Sequence, residues 1–415
     1  MINGVTAIEA ELYKTLGDYI NTNYRLTVPT LHLFTNGKRG AGSEKYNPNQ
    51  IRGFVKRFQN NQLYTAFVDQ VMYAQGVGNQ AQLTQNILNV NAWVSTLTPI
   101  STSVEYDYFS QAITAKTKGA IMENTKLLID HLTKGVTRTL NFQFWNTLAN
   151  GAVSLTGAAG SATTSIPVTL DVDRPGTRYL TPGMFIQVAG ATGGTSVPGN
   201  VAATQILPVN GINTNTQTLT VKDSLTFAAG ALITVLSPDG SATTPITSID
   251  SLVVDTGTVQ GQNLDYLGNQ KAHIYNTAGA FSAETFQSLY LAPETATIDS
   301  VFANMSVYNL AGSSLSGQER TPMGKQAYLD LGWRSFTANE GTTDVILDRD
   351  VPAGSMYGLW TEGWTWATLD DFMIMPMMGQ MRVPRYLVYE IAGALFGQLT
   401  NANIEGNFKY QNITV

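Results

Sequence analysis

The chain has 415 residues, enough to bury a substantial core divided over two or three domains. Its 24 Lys and Arg against 30 Asp and Glu give a net charge of -6, which argues against a dedicated nucleic-acid binder with its concentrated positive face. There is no cysteine, which excludes disulfides, thiolate metal sites and a Cys nucleophile, and neither a secretory leader nor an apolar run long enough to span a bilayer, so a soluble chain without a membrane partner is expected.

In chain order, Thr6 and Glu9 are spaced as a capping box, and Ile8, Leu12, Leu16 and Tyr19 then fall on one helical face. After the loop TNGKRGAGSEKYNPN (35–49), Ile51, Phe54, Phe58, Ala66, Phe67 and Val71 predict a second helical region, with Lys56 and Arg57 on its polar side. Residues 87–112 read as extended chain rich in Val, Thr, Tyr and Ile, with Pro99 marking an edge or a turn.

From Ala115 to Asn150 a long helix is predicted: Leu128, Leu132, Val136, Leu140, Phe144 and Leu148 recur every four residues, and Gly151 follows where a left-handed terminator is wanted. Such a rod would measure about 50 Å. A strict four-residue step overshoots the helical repeat by about 40° each time, so the apolar stripe winds and the rod must change packing partners along its length. Gly135 inside it costs about 1 kcal/mol of propensity, tolerable if something packs closely there. The element reads as a strut.

Between 152 and about 245 the sequence turns rich in Gly, Ala, Thr and Ser and carries little charge. Ile166, Val168, Leu170 and Val172 alternate, as do Leu219 and Val221, the period-two signature of half-buried strands. Each run is followed by a Gly-led strand, GMFIQV in the first case and GALITV in the second, with Met184, Ile186 and Val188 matching Ala231, Ile233 and Val235. A duplicated β unit can pair its apolar faces into a small barrel or sandwich, which a lone hairpin cannot do. An inserted accessory domain is expected. Beyond it, Ser282 is placed to cap a helix over 281–292, with Phe281 and Phe286 closing over the cap as a hydrophobic staple. DSVFANMSVYNL (299–310) predicts a buried strand, 342–360 a strand, a Pro/Gly turn and a strand, and the last fifty residues further strands. Helices and strands are interspersed without a repeating rhythm, so α+β is favoured over a doubly wound sheet.

No chemistry-bearing constellation emerges. His32, His131 and His273 lie in three segments without ligand spacing. GKRGAGSEK lacks the ending of a phosphate-binding loop, DVDRPG (171–176) lacks the ligand pattern of a calcium loop, and GSSLSG (312–317) misses nucleophile-elbow spacing by one residue. Asp348 and Asp350 flank Arg349, and Asp370 and Asp371 adjoin Glu362 and Trp360, Trp364 and Trp366, a mixture compatible with a sugar cleft. Alternating acids at a strand end, however, are more often solvated or arginine-paired, and tryptophans spaced by two on a strand more often belong to a core or interface. No catalytic, cofactor-binding or metal residues are assigned, no cofactor is implied, and a non-enzyme is expected.

Only 13% of residues are charged, below the usual quarter or so, leaving a neutral polar surface that is cheap to desolvate against other protein. Residues 1–150 are net +4 and 263–415 net -7, which suits one copy's front meeting another's back. The order of arm, extended chain, long rod, β insert and mixed domain resembles the major capsid protein of tailed double-stranded DNA bacteriophages, the Hong Kong 97-type fold. The stretches similar to that family are ITAKTKGAIMENTKLLIDHLTKGVTRTLNFQFWNTLANG (113–151), like its spine helix, and VILDRDVPAGSMYGL (345–359), like late strands of its mixed domain. The resemblance implies an N-terminal arm over 1–50, an extended loop and peripheral domain with the spine helix over 51–151, and an inserted, exterior β domain over 152–245. It further implies an axial domain with returning peripheral strands over 246–380 and C-terminal strands over 381–415. It also implies assembly in the host cytoplasm into capsid hexamers and pentamers of a virion. Portal and scaffolding proteins and a decoration protein would be partners, and packaged double-stranded DNA a non-specific neighbour. The alternative is a phage tail or adhesion protein whose β domain binds carbohydrate.

Overall fold

Several sheets and a few helices make this a mixed α+β chain. The computed structural model describes Thr30, residues 42–45, 56–59, 62–68, 90–96, 98–107 and 134–148, most of 151–316, 335–368 and 388–414, and residues 373–374 and 381–382.

One six-stranded sheet is organised on the fourteen-residue strand Val388–Asn401. Along one edge Thr98–Asp107 runs antiparallel to it, from Asp107 opposite Val388 to Thr98 opposite Gly397. Along the other edge lie Met381–Arg382, Met373–Ile374 and Trp364–Thr368 in succession, and Gly42–Lys45 adds in parallel outside the last of these. Pro99 sits in a strand with a single partner among the described residues, the edge position that a residue without an N–H requires.

The second six-stranded sheet has the order His273–Gly279, Phe408–Ile413, Met356–Leu359, Ser300–Ala303, Gly341–Leu347, Ser335–Ala338. Its buried residues alternate. Val301, Ala303, Met356, Phe408 and Tyr410 pack with Phe286, Leu289 and Val307 of the helices Ala283–Tyr290 and Met305–Ser316, whereas Phe302 and Tyr357 join a separate core with Trp145. That is the pleat's two-residue period at work, one face toward each layer. Close approach fixes one glycine in each sheet: a Cβ on Gly358 of the second would come within 2.0 Å of the Phe408 ring, and one on Gly397 of the first within 2.4 Å of Trp366.

Residues 134–145 form a helix that serves both sheets. Val136, Leu140, Phe144 and Trp145 are buried together with Trp364, Trp366, Leu395 and Leu399 of the first sheet and Phe302, Tyr357 and Leu359 of the second. The Phe144 ring meets Trp366 edge-on at 5.2 Å, and Trp145 lies 5.3 Å from Phe302 and 5.2 Å from Tyr357. The predicted stripe of fours is present over these residues, joined by a second row, Thr137, Asn141 and Trp145, that is equally buried. Residues 115–133 of the expected rod lie outside the described residues, as does the expected helix over 6–19.

Four local expectations are corrected. The helix ends at 145 rather than 150, because the Asn146 side chain accepts a hydrogen bond from the Leu148 amide (2.9 Å) and donates to the Ala152 carbonyl (2.9 Å), turning the chain early. Among the described residues nothing packs against Gly135, where an added Cβ would meet open space. The predicted helical region after residue 50 contains instead the strands Lys56–Gln59 and Gln62–Val68, paired with Gln59 opposite Gln62 and continuing into Val90–Thr96. Two asparagines separate the paired ends, a hairpin signal that outranks the apolar spacing used to predict a helix. Finally, 299–310 is strand only over Ser300–Ala303, because Asn304 accepts from the Val307 amide at 2.9 Å and starts the helix Met305–Ser316.

Strands between Ser154 and Leu236 pair only with one another among the described residues. A four-stranded sheet, Ala203–Gln205, Phe185–Val188, Leu232–Leu236, Ser154–Leu155, faces a three-stranded one, Ile212–Asn213, Thr218–Phe227, Gly160–Pro167. Bridges at Ile206–Val221 and Thr156–Val168 connect the two, so the pairings run in a closed circuit around Ile166, Ile186, Val188, Leu219, Leu225 and Ile233. The two repeated segments are neighbours in this barrel, antiparallel, with Ile186 opposite Val235 and Val188 opposite Ile233. The alternation fails at one place: Val168 is buried but Leu170 is 63% exposed.

Candidate functional site

The acidic turn after Gly341–Leu347 is where the barrel, the helix and the second sheet meet. Asp348 is 3% exposed and the Asp350 side chain 5%, so neither is solvated. Asp348 accepts hydrogen bonds from the Thr30 hydroxyl, from Asn141 Nδ2 at 3.2 Å and from the Asp350 amide at 3.0 Å. Asp350 accepts from Asn141 Nδ2 and the Tyr179 hydroxyl and lies 2.8 Å from the Arg178 guanidinium. Trp145 Nε1 donates to the Thr30 hydroxyl at 3.1 Å, tying the cluster to the aromatic core. Of the segment expected to be an N-terminal arm, Thr30 is therefore fully buried against the body.

The barrel's side of this seam is Arg178 and Tyr179. The Tyr179 ring stacks on Phe142 of the helix at 4.1 Å, and Arg138 and Arg178 lie over it at 5.0 and 5.1 Å. Burial, with the Asp350 charge second, pushes the Tyr179 hydroxyl far above its ordinary pKa, so it stays a donor. The arginine partner expected for these acids is thus Arg178 rather than adjacent Arg349, which is exposed.

This arrangement positions chain segments, with both carboxylates engaged by donors from other segments. A glycosidase needs two carboxyl groups facing each other across an open cleft; here both sit in one turn and are filled by donors. Trp364 and Trp366 are fully buried, with Trp364 Nε1 donating to Asn407 Oδ1 at 2.8 Å, which places them in the core rather than on a sugar platform. Glu362 is exposed, and Asp370 and Asp371 lie outside the described residues. His273 stands 3.5 Å from buried Glu405, which accepts from the Glu294 amide at 2.6 Å; His32 and His131 lie outside the described residues. Among the described residues no group of His, Asp and Glu could hold a metal ion, and no helix is long and apolar enough to cross a membrane.

Two other polar centres are structural. Tyr357 and Lys409 both engage Asp250; burial first and the Asp250 charge second raise the Tyr357 hydroxyl well above its usual value. In the barrel, burial alone would raise the Asp223 carboxyl, but hydrogen bonds from Ser196, Thr204 and Thr195 hold it down at about 2. Those bonds, 2.9–3.0 Å long, pin the loop before Ala203–Gln205 to a bulged stretch of Thr218–Phe227. The sequence singles out Asp348 and Asp350 and does not point to Thr30, Arg178 or Tyr179. Asn141 carried a usable signal, a polar residue one place beyond Leu140 on the helix's buried side.

No protein-family model and no curated protein matches the chain. Solved phage capsid structures are similar to it. The capsid asymmetric unit of cyanophage A-1(L) aligns over 90% of this chain and 96% of its own, at 10% identity and a TM-score of 0.48. A structure from Gordonia phage Cozz aligns over 90% and 85%, at 9% identity and 0.39, and the encapsulin complex from Synechococcus elongatus over 91% and 95%, at 8% identity and 0.38.

Proposed function

We propose that the protein is the structural major capsid protein of a tailed double-stranded DNA phage, assembling into the hexamers and pentamers of an icosahedral shell. The observation that carries this reading is the helix of residues 134–145 wedged between two six-stranded sheets, one of them closed by strands from before the helix and from the end of the chain. A shell subunit needs such a strut, long strand edges and a surface that is cheap to desolvate, and it needs no active site. The neutral polar composition and the opposite charge of the two ends fit repeated contact between copies. In this reading the helix is part of the spine, the first sheet belongs to the peripheral domain and the second to the axial domain.

Residues 152–245 are an inserted accessory domain on the exterior. Its two ends adjoin, since a Cβ on Gly151 would lie 2.9 Å from Pro245, so the body can be closed without it. Portal and scaffolding proteins and a decoration protein are the partners this role calls for. A net acidic wall leaves packaged DNA free to enter and leave. The protein is assembled in the host cytoplasm and ends in the virion.

Negative-stain images of the expressed protein test the proposal: spherical shells or rings of six are expected, and elongated trimers would replace it with a tail or adhesion role. Deleting 152–245 should leave the assemblies largely intact. Loss of all folded protein on that deletion would show that the barrel is no accessory.

A further inference from the structure

Burying one carboxylate is costly unless donors surround it, and a second like charge nearby raises the cost. Asp348 and Asp350 are both withdrawn from solvent in a single turn, and their donors come from three segments distant in sequence. The N-terminal segment supplies the Thr30 hydroxyl to Asp348, and the barrel supplies Tyr179 and Arg178 to Asp350. The two halves are not separate. One amide nitrogen, Asn141 Nδ2, donates to both carboxylates, and the Asp350 amide donates back to Asp348 Oδ1.

We propose that this turn is a latch coupling the seat of the N-terminal segment to the seat of the barrel. With Thr30 in place, Asp348 is satisfied, the shared Asn141 amide is held between the carboxylates, and Asp350 faces Tyr179 and Arg178. When the Thr30 hydroxyl is withdrawn, Asp348 draws the Asn141 amide and the turn toward itself, and Asp350 loses both a donor and its orientation toward the barrel. The linkage is reciprocal, because a coupling free energy acts equally in both directions. The latch stands on these contacts alone and holds whether or not the protein forms shells.

Amide hydrogen exchange on the full-length protein tests it. Thr30→Val keeps the side chain's shape and removes its hydroxyl. Exchange at residues 177–180 should then quicken about fivefold or more, the usual size of such couplings, although the hydroxyl meets Asp348 and Trp145 and not the barrel corner. Thr30→Ser should restore the slow rate. Tyr179→Phe should quicken exchange around Thr30 by a similar factor. If Thr30→Val speeds exchange only near residues 30 and 348–350, with 177–180 unchanged, the two halves are independent and the latch is refuted. Should Thr30→Val fail to fold, Tyr179→Phe decides alone: faster exchange at Thr30 supports the latch and an unchanged rate overturns it.

Discussion

The barrel and the body around residues 134–145 bury apolar surface by different means. In the barrel the core is aliphatic, with Phe227 the one buried ring among the described residues, and every buried member comes from one continuous stretch between Ile166 and Ile233. In the body the core sets six large rings, Phe144, Trp145, Phe302, Tyr357, Trp364 and Trp366, among its aliphatic side chains, and it draws on residues from Val136 to Ile404. A core made from neighbouring strands needs little chain closure and can form as a unit; one made from segments as far apart as Val136 and Ile404 forms only when those segments have all come together. The expected outcome is a barrel that unfolds as one unit and a body that unfolds as another around the helix.

Trp145→Ala should break this contrast most severely if it is wrong. It removes two ring contacts and the donor to Thr30, at a cost of about 3–5 kcal/mol. Urea unfolding followed by residue-resolved hydrogen exchange should show the body loosened while Ile186 and Ile233 stay protected; simultaneous loss in both would join them in one cooperative unit. Ile186→Ala, at a fully buried barrel position, should cost about 2–5 kcal/mol and loosen the barrel alone, and a matching loss of protection at Phe302 or Trp366 would contradict that. A smaller effect is expected at the second sheet's helix Ala283–Tyr290, where Ser282 accepts from the Thr285 amide at 3.3 Å. Ser282→Ala should lower body stability by about 1 kcal/mol, detectable as a shift in the urea midpoint with an unchanged slope.

The smallest effect concerns pH. Asp223 is held at about 2 in the folded barrel, below the ordinary value of about 3.9, so it favours folding above that ordinary value. Its contribution should fade as pH falls from about 4 to about 2. Asp223→Asn should flatten the barrel's stability profile over that interval, and an identical profile in the variant would remove Asp223 as its source.

Local signals were readable where short-range chemistry decides conformation. The Ser282 cap with Phe281 stapled on Phe286, 6.0 Å between ring centroids, follows from three residues. The apolar row Val136, Leu140, Phe144 and the matched strands of the barrel follow from periodicity. The strands Lys56–Gln59 and Gln62–Val68 are hard to read because scattered aromatics also fit a helical spacing, and the Asn-Asn pair between them carries the better signal. Asn304 likewise sits within an apolar run that reads as strand, yet it begins a helix.

The sequence by itself determined the alternating aliphatic strands of the barrel, the buried row of the helix and the helix cap at Ser282, since each depends on residues a few positions apart. Tertiary structure alone decided that the two repeated strands would pair side by side, that Val388–Asn401 would return to Thr98–Asp107, and that Thr30, Asn141 and Tyr179 would converge on Asp348 and Asp350. Those partners lie tens to hundreds of residues apart, and hydrogen bonding between distant polar groups leaves no periodic trace in a sequence. It appears only when the chain has brought the donors and the buried charges to the same place.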